Sequence, residues 1–264
     1  MSNDSTNSNA LKSQYRDARN LAARQSIYQF GSQQKPWAQW VLDQLPLPAA
    51  ARILEIGCGN ARLWDNGVPG GWEVVLSDLS PGMLRDGRRA LAMNPRRIRF
   101  VQCDAGEIPF KEQSFDGVIA NHMLYHVPDR RRAIGEMRRV LRPGGTLCAA
   151  TNGEDHLREL KVFIEQFLPA DTTDGFGAAA PFTLENGEPQ VRDWFARVRI
   201  VRRQDVLRVT DADAIVNYAL SSEGAKRVLV GETLEAMRSA ARTQIARAGA
   251  FVVTVDAGLI LATH

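Results

Sequence analysis

The chain carries few of the residues that bind metals or form disulfides. Its three cysteines, Cys58, Cys103 and Cys148, stand far apart among 264 residues. No Cys-x-x-x-Cys-x-x-Cys run exists, so an iron–sulfur cluster for radical chemistry finds no ligand set. No Cys/His set has zinc spacing, and no group of acids clusters as a magnesium site, so no metal is expected. Each cysteine falls at the end of an expected strand. That suits buried thiols in a reducing compartment, and a cytoplasmic location is expected. No apolar run approaches the ~18 residues of a membrane span. Met1 to Asn9 is polar and lacks the apolar core of a secretion signal, so no membrane partner is expected. An excess of one charge is also missing: 33 Lys and Arg against 30 Asp and Glu leave a net charge of +3. The arginines are spread along the chain. The clusters Arg130-Arg131-Arg132 and Arg138-Arg139 fall on one amphipathic helix, where a solvated face accounts for them. A nucleic-acid partner is therefore not expected.

The composition that remains is ordinary for a globular protein, with 44% apolar and 24% charged residues. The length fits one large α/β domain with additions. Residues 1–9, rich in Ser and Asn, read as a disordered leader. Residues 10–45 read as an N-terminal helical cap, with one helix from Ala10 to about Phe30 and a second from Pro36 to Leu45. Strands and helices then alternate. Strands are expected at Arg52–Ile56, Glu73–Asp78, Ile98–Asp104, Phe115–Asn121 and Thr146–Ala150. Helices are expected from Pro81 to Leu91, capped by Ser80, and from Asp129 to Leu141. Such alternation predicts a parallel sheet with helices on both faces. Arg142-Pro143-Gly144-Gly145 reads as a turn. A helix follows from Asp155 to Leu168. Pro169 to Pro189 reads as irregular, and Val191–Ala196 as a short helix. Val198–Val209 reads as a long strand, with helices at Ala212–Leu220 and Glu232–Ala248. Phe251–Val255 and Leu259–Ala262 close the chain as strand, with a bulge at Gly258.

The densest signal lies at Arg52-Ile53-Leu54-Glu55-Ile56-Gly57-Cys58-Gly59-Asn60-Ala61. An apolar, β-prone run ends in an acid and a glycine-rich turn, the way a buried strand delivers a nucleoside to a sheet edge. Gly57 and Gly59 permit backbone conformations and close approaches that a Cβ blocks. A dinucleotide site wants Gly-x-Gly-x-x-Gly, and Arg62 occupies its third glycine position. The run resembles the first motif of the class I, Rossmann-like, S-adenosylmethionine-dependent methyltransferases, with Ala61 at the third glycine. Ser114-Phe115-Asp116-Gly117-Val118 and Arg139-Val140-Leu141-Arg142-Pro143-Gly144-Gly145 match later motifs of the same family in order. The resemblance spans roughly residues 50–150 and is of the small-molecule, type 11-like kind.

It implies an α/β fold: a doubly wound, seven-stranded, mostly parallel sheet, its last strand antiparallel between the fifth and sixth. It implies one domain over residues 10–264, with a lid insertion at 152–197. S-adenosylmethionine is the implied cofactor and S-adenosylhomocysteine the product. Glu55, Gly57, Gly59 and Asn60 would lie along it, Asp78 on the ribose hydroxyls, and Asp104 and Ala105 on the adenine. Leu79 and Met83 would give apolar contacts. Asn121 and the segment after it would line the methionine part, and Tyr28 would reach the cofactor carboxylate. His122 and His126, just past the fourth strand, are candidates for a general base near neutral pH. Tyr15, Arg19, Tyr125, Phe176 and Phe182 are candidate substrate contacts. A small-molecule acceptor is expected, at oxygen, nitrogen or carbon, with the first helix available to pair subunits into a homo-oligomer. An RNA or protein methyltransferase and a non-catalytic cofactor-binding protein remain open as alternatives.

Overall fold

The computed structural model describes residues 24, 26–32, 35–92, 98–169, 172 and 180–264. Strands β1 (Arg52–Ile56), β2 (Glu73–Asp78), β3 (Ile98–Gln102), β4 (Phe115–Asn121) and β5 (Leu141–Asn152) run parallel, with an α-helix between β2 and β3 and another between β4 and β5. With β6 (Arg197–Val209) and β7 (Phe251–Thr263) they form one seven-stranded sheet, in the order β3-β2-β1-β4-β5-β7-β6. β7 runs antiparallel to β5, from Thr146 opposite Thr263 to Asn152 opposite Ala257. The expected strand order and the reversed last strand are both present.

The described residues fall into two compact units. Of the described residues, the first takes in those within 35–153, 180–202 and 257–264, and the second those within 24–32, 154–172 and 203–256. In the first unit the two-residue period of each strand sorts side chains into two apolar layers. Leu54, Ile56, Val118, Ala120, Leu147 and Ala149 enter one layer. Ile53, Ile119, Cys148 and Ala150 enter the other. Helices α3 (Arg130–Val140) and α5 (Leu184–Arg192) close the first layer through Ile134, Met137, Leu184 and Val191. Helices α1 (Trp37–Asp43) and α2 (Pro81–Ala90) supply Val41 and Leu84 to the second. Each fully buried aliphatic side chain contributes about 1.5–3 kcal/mol. Ser80 caps α2 by accepting from the Met83 N–H at 3.3 Å, and Pro81 fits its first turn.

The second unit has its own core. Helices α4 (Arg158–Glu165), α6 (Ala212–Ala219), α7 (Glu223–Val228) and α8 (Gly231–Ala248) meet there with the outer parts of β6 and β7. Leu160, Phe163, Ile215, Met237, Phe251 and Val253 lie at its centre. Among the described residues no helix is long and apolar enough to cross a membrane.

Four expectations change. The segment before Pro189 is not irregular throughout: α5 starts at Leu184, held by a capping box in which Thr183 and Asn186 bond each other's backbone. The expected short helix at Val191–Ala196 is the end of this element. β5 begins at Leu141 and takes in Arg142–Gly145 as an irregularity between the Phe115–Leu141 and Gly117–Thr146 pairs. Gly258 forms no bulge, since pairing runs unbroken past it. A Cβ there would stand 2.5 Å from the Val201 carbonyl oxygen, so the glycine serves a close approach of backbone. Finally, α7 breaks a stretch that carried no expected element. The expected helix over residues 10–30 lies largely outside the described residues, which begin a 3₁₀ turn at Ile27–Phe30.

Candidate active site

The parallel register brings four chain ends to one edge. Ile56 pairs with Ser77, and Asp78 pairs with Gln102, so Gly57, Asp78, Cys103 and Asn121 lie within one rung of each other along the carboxyl edge. Beyond β1 the chain turns through left-handed backbone at Gly57 (φ 69°), Gly59 (φ 55°) and Ala61 (φ 66°). Cys58 N–H donates to Ser77 O at 2.9 Å and Ala61 N–H to Cys58 O at 2.9 Å. A Cβ on Gly57 would lie 2.8 Å from Met123 Cβ, so this residue must be glycine on two counts. A Cβ on Gly59 would meet nothing within 4 Å, so that glycine opens onto free space. Gly87 lets α2 approach, since a Cβ there would come 3.2 Å from Ala61 Cβ and 3.5 Å from the Asn60 backbone.

Asp78 ties this loop to β2. One carboxylate oxygen accepts from Gly59 N–H and the other from Ser80 N–H, each at 2.8 Å. Burial raises its pKa, and these two donors oppose the rise. A carboxylate has about four acceptor sites, so two remain for the hydroxyls of a ribose. Leu79, next along the chain, is 59% exposed, an apolar face held out where a purine would rest. Met83, in the first turn of α2, is buried. Asp104 is exposed, its Oδ1 accepting Gly106 N–H at 2.7 Å, and Ala105 is buried. A short bridge between Asp104 and Glu107 shapes this loop. An open glycine loop, a half-occupied carboxylate and an exposed leucine at successive strand ends fit a nucleoside.

Glu55 has a partner that the sequence reading did not include. It is 1% exposed, and its Oε2 accepts from the Trp64 indole N–H at 2.6 Å. Burial pushes its carboxyl up to about 7, against the effect of that bond. Trp64 sits in a 3₁₀ turn after the glycines, and its signal in the sequence was only an aromatic nine positions past the acid.

Past β4, Asn121 Oδ1 accepts from Trp37 Nε1–H at 3.1 Å. The Trp37 ring also lies 5.1 Å from that of His122. His122 has left-handed backbone (φ 54°). Burial pushes its imidazole down to about 4. The Tyr125 ring meets the His126 ring edge-on, with centroids 4.4 Å apart. The structure thus brings Asn121, His122, Tyr125 and His126 together and adds Trp37. Phe182 is fully buried in the first apolar layer, where its ring packs against Gly187. It is a core residue there, because the start of α5 folds over it. Tyr28 belongs to the second unit, with its hydroxyl against His156. Tyr15, Arg19 and Phe176 lie outside the described residues. Among the described residues no group of three or more His, Cys, Asp or Glu could hold a metal.

The strand order, the reversed β7 and the glycine loop at β1 define the class I methyltransferase fold. Residues 54–149 match the family model described as a methyltransferase domain. Among curated proteins, the demethylmenaquinone methyltransferase of Clavibacter sepedonicus is 39% identical over 99 residues, 38% of this chain and 40% of that protein. The ubiquinone/menaquinone biosynthesis C-methyltransferase of Hahella chejuensis is 37% identical over 116 residues, 42% of this chain and 47% of that protein. The chain thus spans less than half the length of these relatives. Among solved structures, the YcgJ protein from Bacillus subtilis superposes with a TM-score of 0.58 at 16% identity, covering 86% of this chain and 97% of that one. A Haemonchus contortus phosphoethanolamine N-methyltransferase, solved with S-adenosylhomocysteine, gives 0.58 at 18% identity, covering 96% of this chain and 59% of that one.

Proposed function

We propose that the protein is an S-adenosylmethionine-dependent methyltransferase acting on a small molecule, with a hydroxylated aromatic ring as the acceptor. The observation that carries the cofactor reading is Asp78, which locks Gly59 with one oxygen and keeps acceptor capacity for a ribose at the sheet edge. The acceptor class is suggested by the relatives that act on quinone precursors. The segment that matches these relatives covers the cofactor half of the fold.

The sulfonium of the bound cofactor supplies a methyl already activated for displacement. The residues past β4 need only align the acceptor and exclude water. His126 is the better candidate for a proton acceptor. A base works best near the operating pH, and His122, held at about 4, is too weak a base there. The neutral His122 ring, braced by Trp37, instead forms a wall. Four of the five arginines of α3 pair with local groups: Arg131 with Asp193, Arg132 with Glu107, Arg139 with Glu136, and Arg130 with Gln190. Such pairing favours a small acceptor over a nucleic acid, whose phosphates need unpaired cations.

Calorimetric titration with S-adenosylhomocysteine tests the cofactor. Micromolar binding is expected, weakened at least tenfold in Asp78→Ala and in Asp104→Ala. No binding to folded wild type would end the proposal. Methyl transfer from labelled S-adenosylmethionine to 1,4-dihydroxy-2-naphthoate then tests the acceptor class, with loss of turnover expected in His126→Ala.

A further inference from the structure

The indole of Trp37 fixes which way a neighbouring amide faces. Trp37 opens α1, Asn121 closes β4, and both belong to the first unit. The indole Nε1–H donates to Asn121 Oδ1 at 3.1 Å. An indole nitrogen only donates, so the amide oxygen, and not the amide nitrogen, faces Trp37. The amide is planar, and its NH2 is therefore turned away from the indole. That NH2 has no hydrogen-bond partner among the described residues. Asn121 is half-buried, and its Nδ2 is not sealed from solvent. A donor held in place and left unpaired at the carboxyl edge of the sheet is a recognition group for an oxygen.

The amide is held from both sides. The Trp37 ring packs against Trp40 and against His122, each with centroids 5.1 Å away. On the strand side, Asn121 pairs with Ala150 of β5, and His122 N–H donates to Ala150 O at 3.0 Å. His122 is left-handed there (φ 54°). A residue with a Cβ keeps that conformation only where its surroundings impose it, and such strain gathers at functional sites. Asn121 directly precedes His122, Tyr125 and His126, the residues set against the methyl acceptor, whereas Asp78, Leu79 and Asp104 serve the nucleoside from the ends of β2 and β3. The open donor therefore falls on the acceptor side.

We propose that Trp37 is a positioning residue that turns the Asn121 NH2 toward the methyl acceptor, where it donates to an anionic or carbonyl oxygen and sets which way the acceptor ring lies. The inference rests on the methyl-transfer reading for its ligand. The probe is 1,4-dihydroxy-2-naphthoate, titrated into wild type, Trp37→Phe, Asn121→Ala and Asn121→Asp, each saturated with S-adenosylhomocysteine. Trp37→Phe keeps a ring against His122 and loses the donor, and naphthoate affinity is expected to fall about fivefold. Asn121→Ala is expected to lose about tenfold. Asn121→Asp keeps an acceptor for the indole but puts a carboxylate oxygen where the NH2 stood, so it is expected to bind the naphthoate more weakly than Asn121→Ala does. A merely structural role gives the opposite order, because aspartate preserves the shape and the indole bond and alanine preserves neither. S-adenosylhomocysteine is expected to bind all three variants within about twofold of wild type. Naphthoate held better by Asn121→Asp than by Asn121→Ala would overturn the assignment. So would variants that weaken S-adenosylhomocysteine and spare the naphthoate, since the amide would then serve the cofactor. The Trp37 indole N–H signal in nitrogen NMR needs no ligand: it is expected to shift in Asn121→Ala, and an unmoved signal would overturn the positioning role. Wild type that binds S-adenosylhomocysteine and not the naphthoate would overturn the acceptor contact. Wild type that shows the Asn121-dependent indole signal and binds no S-adenosylhomocysteine would instead count against the methyl-transfer reading, with the Trp37–Asn121 bond left standing.

Discussion

A carboxyl group sealed beneath the glycine loop is a costly placement. Glu55 titrates at about 7 in the folded chain against 4.5 for a free side chain. Between those values the folded protein holds a proton that the unfolded chain has released. Stability therefore falls as pH rises through that window, and the full cost, about 3 kcal/mol, is present above it. Glu55→Gln keeps an acceptor for the Trp64 indole and removes the titration. Thermal melts are expected to show this variant several degrees more stable than wild type at pH 8 and about equal at pH 5. Equal differences at the two pH values would mean that Glu55 is ionised throughout. Ala61 is a second strained placement in the same loop, since left-handed backbone costs a residue with a Cβ about 1–2 kcal/mol. The family's glycine at this point needs no such payment, yet the Ala61 methyl fills the gap that Gly87 leaves beneath α2.

At the scale of elements, glycine matters most where β7 meets its neighbours. A methyl at position 258 would collide with the Val201 carbonyl, and backbone cannot step aside as a side-chain tip can. Gly258→Ala is expected to lower stability by about 1–3 kcal/mol in urea denaturation. A change within 0.5 kcal/mol would show that the β6–β7 approach is looser than described. The sequence made β1 to β4 legible because each couples an apolar run to an acid, a glycine or an asparagine at its end, and those end residues double as the site. α5 was hidden by its own composition. Gly187 and Pro189 are helix breakers by propensity, but Gly187 is there to clear the Phe182 ring, 2.9 Å from where its Cβ would be. Tertiary packing overrode local preference. The start of β5 was hidden in the same way, its Pro-Gly-Gly reading as a turn although the strand resumes pairing after it. The partners of Glu55, Asn121 and Tyr28 were beyond reach, since Trp64, Trp37 and His156 are joined to them only through the fold.

Across the whole molecule, the family match stops at residue 149, and the second unit draws on chain segments outside it. What was readable by resemblance is therefore the carboxyl edge of β1 to β4, while the second unit is defined by its own apolar core. Three thiols run through the readable part, and none is in a disulfide among the described residues. Burial holds all three in the protonated form, raising Cys103 to about 11 and Cys148 to about 12. The thiolate is the reactive form, so at neutral pH none alkylates until its surroundings open. That makes each cysteine a clock. Cys58 times the glycine loop, Cys103 the end of β3, and Cys148 the centre of the sheet. With iodoacetamide and mass spectrometry, Cys148 is expected to be the slowest, at the rate of global unfolding. Cys58 should slow when S-adenosylhomocysteine is added. Labelling of Cys148 as fast as Cys58 would mean that the sheet opens as one piece, and that nothing at its edge breathes alone.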